Sequence, residues 1–129
     1  MLKKFILIGL CLMALPTVAQ NAARCEGGSL ITGANNHEYC LSDITMNWWS
    51  AHSWCRAQGR TLVTVTQACN GIFPNMNASC DNFAGRLRHL TEHAWTTTPY
   101  RTDSAYTLNL YQQVQYRKRN ATSLYALCF

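Results

Sequence analysis

Asn47-Trp48-Trp49-Ser50-Ala51-His52-Ser53-Trp54-Cys55-Arg56-Ala57-Gln58-Gly59-Arg60-Thr61-Leu62 is the stretch on which the reading of the fold turns. Asn47 is a residue type that caps helix N-termini, because its side-chain oxygen can accept from an otherwise unpaired backbone N–H. Trp48, Ala51, His52 and Cys55 then recur at spacings of three and four, which places them on one helical face. Gly59 is a natural stop. Leu62-Val63-Thr64-Val65 follows as an apolar run and reads as a buried strand. Trp48 belongs with the core on this pattern. Trp49 and Trp54 cannot both share its face, so at least one lies near the surface or beneath a neighbouring hairpin.

Working outward, Ala23 to Tyr39 is rich in turn formers (Gly27-Gly28, Gly33, Asn35-Asn36) and reads as a hairpin closed by Cys25 and Cys40. Downstream, Gln67 to Asp81 is irregular, and its close cysteines Cys69 and Cys80 read as a structural disulfide clip. Phe83 to His93 is expected as a second helix, with Phe83, Leu87, Leu90 and Ala94 on one side. After Pro99 the period becomes two, with Tyr106, Leu108 and Leu110 alternating with Thr107, Asn109 and Tyr111. Leu108 and Leu110 are expected to face the core, burying Tyr106 and leaving Tyr111 outside. Leu124 to Phe129 is a last strand-like run. Without repeats or linkers, this is one α+β domain with helices early and antiparallel strands late.

The N-terminus reads as an export signal. Met1-Leu2-Lys3-Lys4 is basic, Phe5 to Leu15 is apolar, and Pro16-Thr17-Val18-Ala19 offers small residues for cleavage. The expected division is a signal peptide over 1–19 and a mature domain over 20–129. The apolar run is shorter than the roughly 20 residues of a membrane-spanning helix, so no stable membrane insertion is expected after cleavage. Cys11 leaves with the signal, reducing seven cysteines to six. An even set in an exported chain of this size reads as a disulfide framework, and spacing alone leaves about 15 pairings open. The mature chain carries nine basic against six acidic residues, a mild excess that gives no support to nucleic-acid binding. A secreted or periplasmic location follows, with cell-surface association compatible with it.

The order Trp48-x-x-Ala51-x-x-x-Cys55-x-x-x-Gly59-x-x-Leu62 resembles the first-helix signature of the C-type lectin-like domain family. The resemblance implies that Cys55 pairs with Cys128 in Tyr125-Ala126-Leu127-Cys128-Phe129. It implies too that the hairpin of Cys25 and Cys40 is the family's long-form N-terminal extension. Trp95-Thr96-Thr97-Thr98 stands where the family has its central Trp strand, and is similar to compact bacterial members. Two features depart from the sugar-binding members. The Glu-Pro-Asn or Gln-Pro-Asp triplet and the Trp-Asn-Asp of their calcium site are both missing. Calcium needs several oxygen ligands gathered together, and the acids near the late strands reduce to Asp103. The resemblance therefore implies the scaffold without a calcium or other cofactor site.

Tyr100, Arg101, Tyr111, Tyr116, Arg117 and Arg119 give the late strands the composition of a contact surface, rigid amphipathic rings beside adaptable cations. They are the expected ligand-binding residues of a calcium-independent module that takes a protein or glycan partner. A structural subunit of a surface or envelope assembly is the first alternative. The second is a small zinc-dependent hydrolase. His89-Leu90-Thr91-Glu92-His93 matches a zinc-peptidase pattern in which two histidines hold the metal beside a general base, although only His37, His52, Asp81 and Asp103 are available as a further ligand. The reading as a whole is of a non-enzyme with no catalytic or metal residues.

Overall fold

The structure, a computed structural model, describes residues 22–69, 80–83, 93–109, 113–120 and 122–129. The expected signal peptide, most of the expected second helix with His89 and Glu92, the interior of the Cys69–Cys80 loop, and Tyr111 lie outside the described residues. The side chain of Asp81 is not described either.

Two strands, β1 (Gly28–Thr32) and β2 (Glu38–Met46), form the N-terminal hairpin. Next come α1 (Trp48–Ala57), the four-residue α2 (Val65–Ala68), and a single 3-10 turn at Asp81–Phe83. Strands β3 (Ala94–Arg101), β4 (Ser104–Leu108), β5 (Val114–Lys118) and β6 (Leu124–Cys128) complete the chain. All six strands lie in one sheet ordered β1-β2-β6-β3-β4-β5. The chain is α+β, and no helix among the described residues is long and apolar enough to cross a membrane.

The expectation of antiparallel late strands needs one correction. β6 pairs antiparallel with β2 but parallel with β3, through Ala94 with Tyr125 and Trp95 with Ala126, so the sheet is mixed. β6 does not extend the β3-β4-β5 meander at its outer edge. It inserts between that meander and the N-terminal hairpin, and so runs parallel to β3. Its central place explains its composition: a strand covered on both faces carries a continuous apolar run. Leu124, Ala126 and Cys128 enter a core with Ala51 and Cys55 of α1, whereas Tyr125 and Leu127 meet a core that includes Val65 and Ala68 of α2.

The ends of α1 follow from local chemistry. Asn47 Oδ1 accepts from Ser50 N at 2.8 Å. At the other end Gly59, with φ of 67°, takes the left-handed conformation that glycine adopts without a Cβ clash. Gly59 N donates to Arg56 O and Arg60 N to Cys55 O, the paired bonds of a Schellman termination. The reversal aims Arg60 inward, where its side chain is 4% exposed. Its guanidinium donates to the carbonyls of Arg24 and Glu38 and to Glu38 Oε1, tying the N-terminal segment and β2 to the end of α1.

Leu62, Val63 and Val65 are buried, but the run is not a strand. Leu62 makes one bridge to Cys128, and Val63 receives Thr97 N while donating to Leu127 O. Thr64 then caps α2: its hydroxyl accepts from Gln67 N and Gln67 Oε1 accepts from Thr64 N. This reciprocal capping box turns Val65 into a helix, overriding the β-branched run. Ala94, expected on the second helix, instead opens β3.

The two expected roles for the extra tryptophans are both filled. Trp49 is 54% exposed, and Trp54 packs beneath the hairpin at Gly28, where an added Cβ would stand 2.5 Å from Leu41 O and 3.0 Å from Trp54 Cη2. Disulfides join Cys25 to Cys40, Cys55 to Cys128, and Cys69 to Cys80.

Candidate functional site

The late strands β3, β4 and β5 carry most of the expected contact residues, divided between the two faces of the sheet. Tyr106 and Tyr116 are direct cross-strand partners on the face that packs toward α2. Tyr100 joins them from β3: its ring stacks on Tyr116 with centroids 4.3 Å apart, and meets Tyr106 edge-on at 5.2 Å. Tyr106 is half-buried while Tyr116 is 43% exposed, so the ladder rises from the core to an open ring. Arg101 holds its guanidinium 5.2 Å from the Tyr100 centroid, within reach of a cation–π contact. Tyr100, Arg101 and Tyr116 are thus brought together, with Tyr106 as their base.

Arg117 and Arg119 are carried elsewhere, because adjacent residues of a strand face opposite sides. Arg117 Nη2 lies 2.9 Å from His93 Nε2. A guanidinium can only donate, so His93 Nε2 accepts and Nδ1 carries the proton, which it donates to Thr107 Oγ1 at 3.1 Å. Both imidazole nitrogens are therefore engaged. Arg119 reaches across to α1 instead, with its guanidinium 4.9 Å from the Trp48 ring and 5.6 Å from Trp49, while also donating to the Thr102 carbonyl. The expected single surface is divided into a tyrosine ladder and an Arg119–Trp48–Trp49 group, with Arg117 in neither because it is held against His93. Sequence reasoning did not anticipate the second. Its signal was Trp49, which falls off the core face of α1.

Charge is unbalanced at these patches. Among the described residues the ion pairs are Arg24 with Glu26 at 3.7 Å and Arg60 with Glu38 at 3.2 Å, so no carboxylate pairs with Arg101, Arg117 or Arg119. Asp103, in the turn between β3 and β4, accepts from the Ser104 hydroxyl, which holds its carboxyl below its ordinary value. Among the described residues no three His, Cys, Asp or Glu side chains gather as a metal site would require.

Burial, reinforced by the Arg117 cation, lowers the His93 pKa to about 4. In the unfolded chain the imidazole titrates near 6.5. The unfolded state therefore takes up a proton first as the pH falls, and the contribution of His93 is complete above about 6.5 and lost between there and 4. The shift corresponds to at most about 3 kcal/mol, which solvent at this half-buried site reduces to roughly 1–2 kcal/mol. Urea unfolding at pH 7 and pH 4.5 should show that loss, and His93→Gln should remove most of it. An unchanged pH slope in the variant would assign the acid sensitivity to other groups.

No family model matches the chain, and no curated protein or solved structure matches it significantly.

Proposed function

We propose that this chain is an exported, calcium-independent recognition module of the C-type lectin-like kind, holding a protein or glycan partner on its late strands and loops. The observation that carries the reading is the Tyr100–Tyr106–Tyr116 ladder with Arg101 on its rim. Stacked rings present apolar area with little side-chain entropy left to lose, and a cation with no carboxylate partner among the described residues supplies directed donors. Three disulfides suit an oxidising compartment outside the cytoplasm. The zinc-hydrolase alternative draws less support, since both nitrogens of His93 are already hydrogen-bonded. A subunit of a surface assembly would use the same patches against fixed neighbours.

The test is capture of the partner by immobilised protein, from a glycan array and from a surface-protein extract, with and without a calcium chelator. Tyr116→Ala with Arg101→Ala removes exposed atoms and should shift stability by only about 0.5 kcal/mol. Binding should nevertheless weaken at least tenfold, about 1.4 kcal/mol, and should not respond to the chelator. Undiminished capture by the double variant would move the contact surface away from the ladder. Capture abolished by the chelator would overturn the calcium-independent reading.

A further inference from the structure

A separate pocket of about 270 Å³ opens between α1, the segment Thr61 to Thr64, α2 and β3. His52, Arg56, Thr61, Thr64, Gln67 and Thr97 line it, with Leu62 as its apolar wall. The pocket lies away from the tyrosine ladder, while His52 and Arg56 also border Trp48 and Trp49, so it adjoins the Arg119–Trp48–Trp49 group. The walls are set by the fold: His52 and Arg56 stand one turn apart on α1, and the bond from Thr97 N to Val63 O fixes β3 against the opposite wall.

The chemistry of the lining is one-sided. Among the described residues Arg56 is the only permanent charge in the lining, it is exposed, and no carboxylate pairs with it. Gln67 spends its oxygen on Thr64 N, which leaves its amide NH2 as a donor. Thr64 accepts from Gln67 N and keeps its own O–H. The Thr61 and Thr97 hydroxyls add two more groups able to donate. His52 lies T-shaped against Trp48 at 4.2 Å, and its Nε2 is buried with no hydrogen-bond partner. Burial and the Arg56 cation hold this imidazole below its ordinary pKa, so near neutral pH the ring is uncharged. Among the described residues the pocket thus combines one cation, several hydroxyl and amide donors, one short apolar wall and no acid. At about 270 Å³ it has room for one small molecule.

We propose that this pocket binds a small hydroxylated carboxylate of the sugar-acid class, its carboxylate on Arg56 and its hydroxyls on Thr61, Thr64, Gln67 and Thr97. A guanidinium meets a carboxylate through two parallel N–H donors, which gives orientation as well as attraction. The threonine and glutamine groups distinguish a hydroxylated acid from a plain one.

Glucuronate, with glucose as its uncharged counterpart, tests the assignment by amide-signal titration of the protein with its disulfides intact. Glucuronate should shift signals from His52, Leu62 and Thr97, and glucose should bind roughly tenfold more weakly or less, since a charge-assisted hydrogen bond is lost. Arg56→Gln, at an exposed side chain with no ion pair among the described residues, should keep the fold and abolish the preference for the acid. Lys118→Gln removes the same charge from β5 and should leave binding unchanged. Thr97→Val should weaken glucuronate while leaving acetate unaffected. Equal binding of glucuronate and glucose, or glucuronate binding untouched by Arg56→Gln, would overturn the proposal.

Discussion

Replacing Cys55 and Cys128 together with alanine is expected to cost about 4 kcal/mol, the largest loss from any of the three disulfides. The bond joins residues 73 apart in sequence, against 15 for Cys25–Cys40 and 11 for Cys69–Cys80. A cross-link stabilises chiefly by removing conformations from the unfolded chain, and that effect grows with the logarithm of the loop it closes. The same estimate gives about 3 kcal/mol for each of the shorter loops. Cys55 and Cys128 are also wholly buried, where α1 meets the central strand β6, so their loss leaves space in a packed core. Thermal melting should fall by roughly 15–30 °C, at about 4–8 °C per kcal/mol for a domain of this size. Should Cys69→Ala with Cys80→Ala prove the more damaging pair, loop length would not be what sets the ranking.

Much of the first half of the chain was legible because its signals are local. Asn47, the three-and-four spacing of Ala51 and Cys55, and Gly59 each act within a turn of the residue they affect, and α1 spans Trp48–Ala57 as they indicate. The hairpin of β1 and β2 was equally readable from its glycines and asparagines. Thr64 and Gln67 were a missed local signal: the capping box stood in the sequence, but the apolar run beside it suggested a strand. The parallel pairing of β3 with β6 had no local signal at all, since its partners lie about 30 residues apart.

The candidate site was legible in composition and not in arrangement. Tyr116 and Arg117 are neighbours in sequence, which already places them on opposite faces of β5. Where each side chain ends depends on the register of β5 with β4, and on the irregular pairing of β3 with β4 between Trp95 and Arg101. Arg119 finds Trp48 and Trp49 some 70 residues away, a contact that no spacing rule could supply. The composition foretold rings and cations, and the sheet decided which of them meet.

Trp95→Ala is expected to cost about 3–5 kcal/mol, the usual range for deleting a large buried aromatic side chain. Trp95 is fully buried in the core between α1 and the sheet, among Ala51, Cys55, Ala105 and Ala126. The alanines and the disulfide cysteine have no side-chain length with which to fill the space of a missing indole, so only the larger members of the cluster, Leu62 and Leu124, could move into it. The ring also holds position through Nε1, which donates to Met46 O at 2.9 Å and ties β3 to the end of β2. Trp95→Phe separates the two contributions. It keeps most of the apolar volume but leaves the Met46 carbonyl without its donor, which should account for about 1–2 kcal/mol of the total. Chemical denaturation of the wild type and both variants would measure the order: alanine far below phenylalanine, and phenylalanine modestly below tryptophan. If phenylalanine matched tryptophan, the hydrogen bond to Met46 would add nothing. If alanine cost less than about 2 kcal/mol, the core around Trp95 would be repacking, with larger neighbours such as Leu62 and Leu124 filling the space.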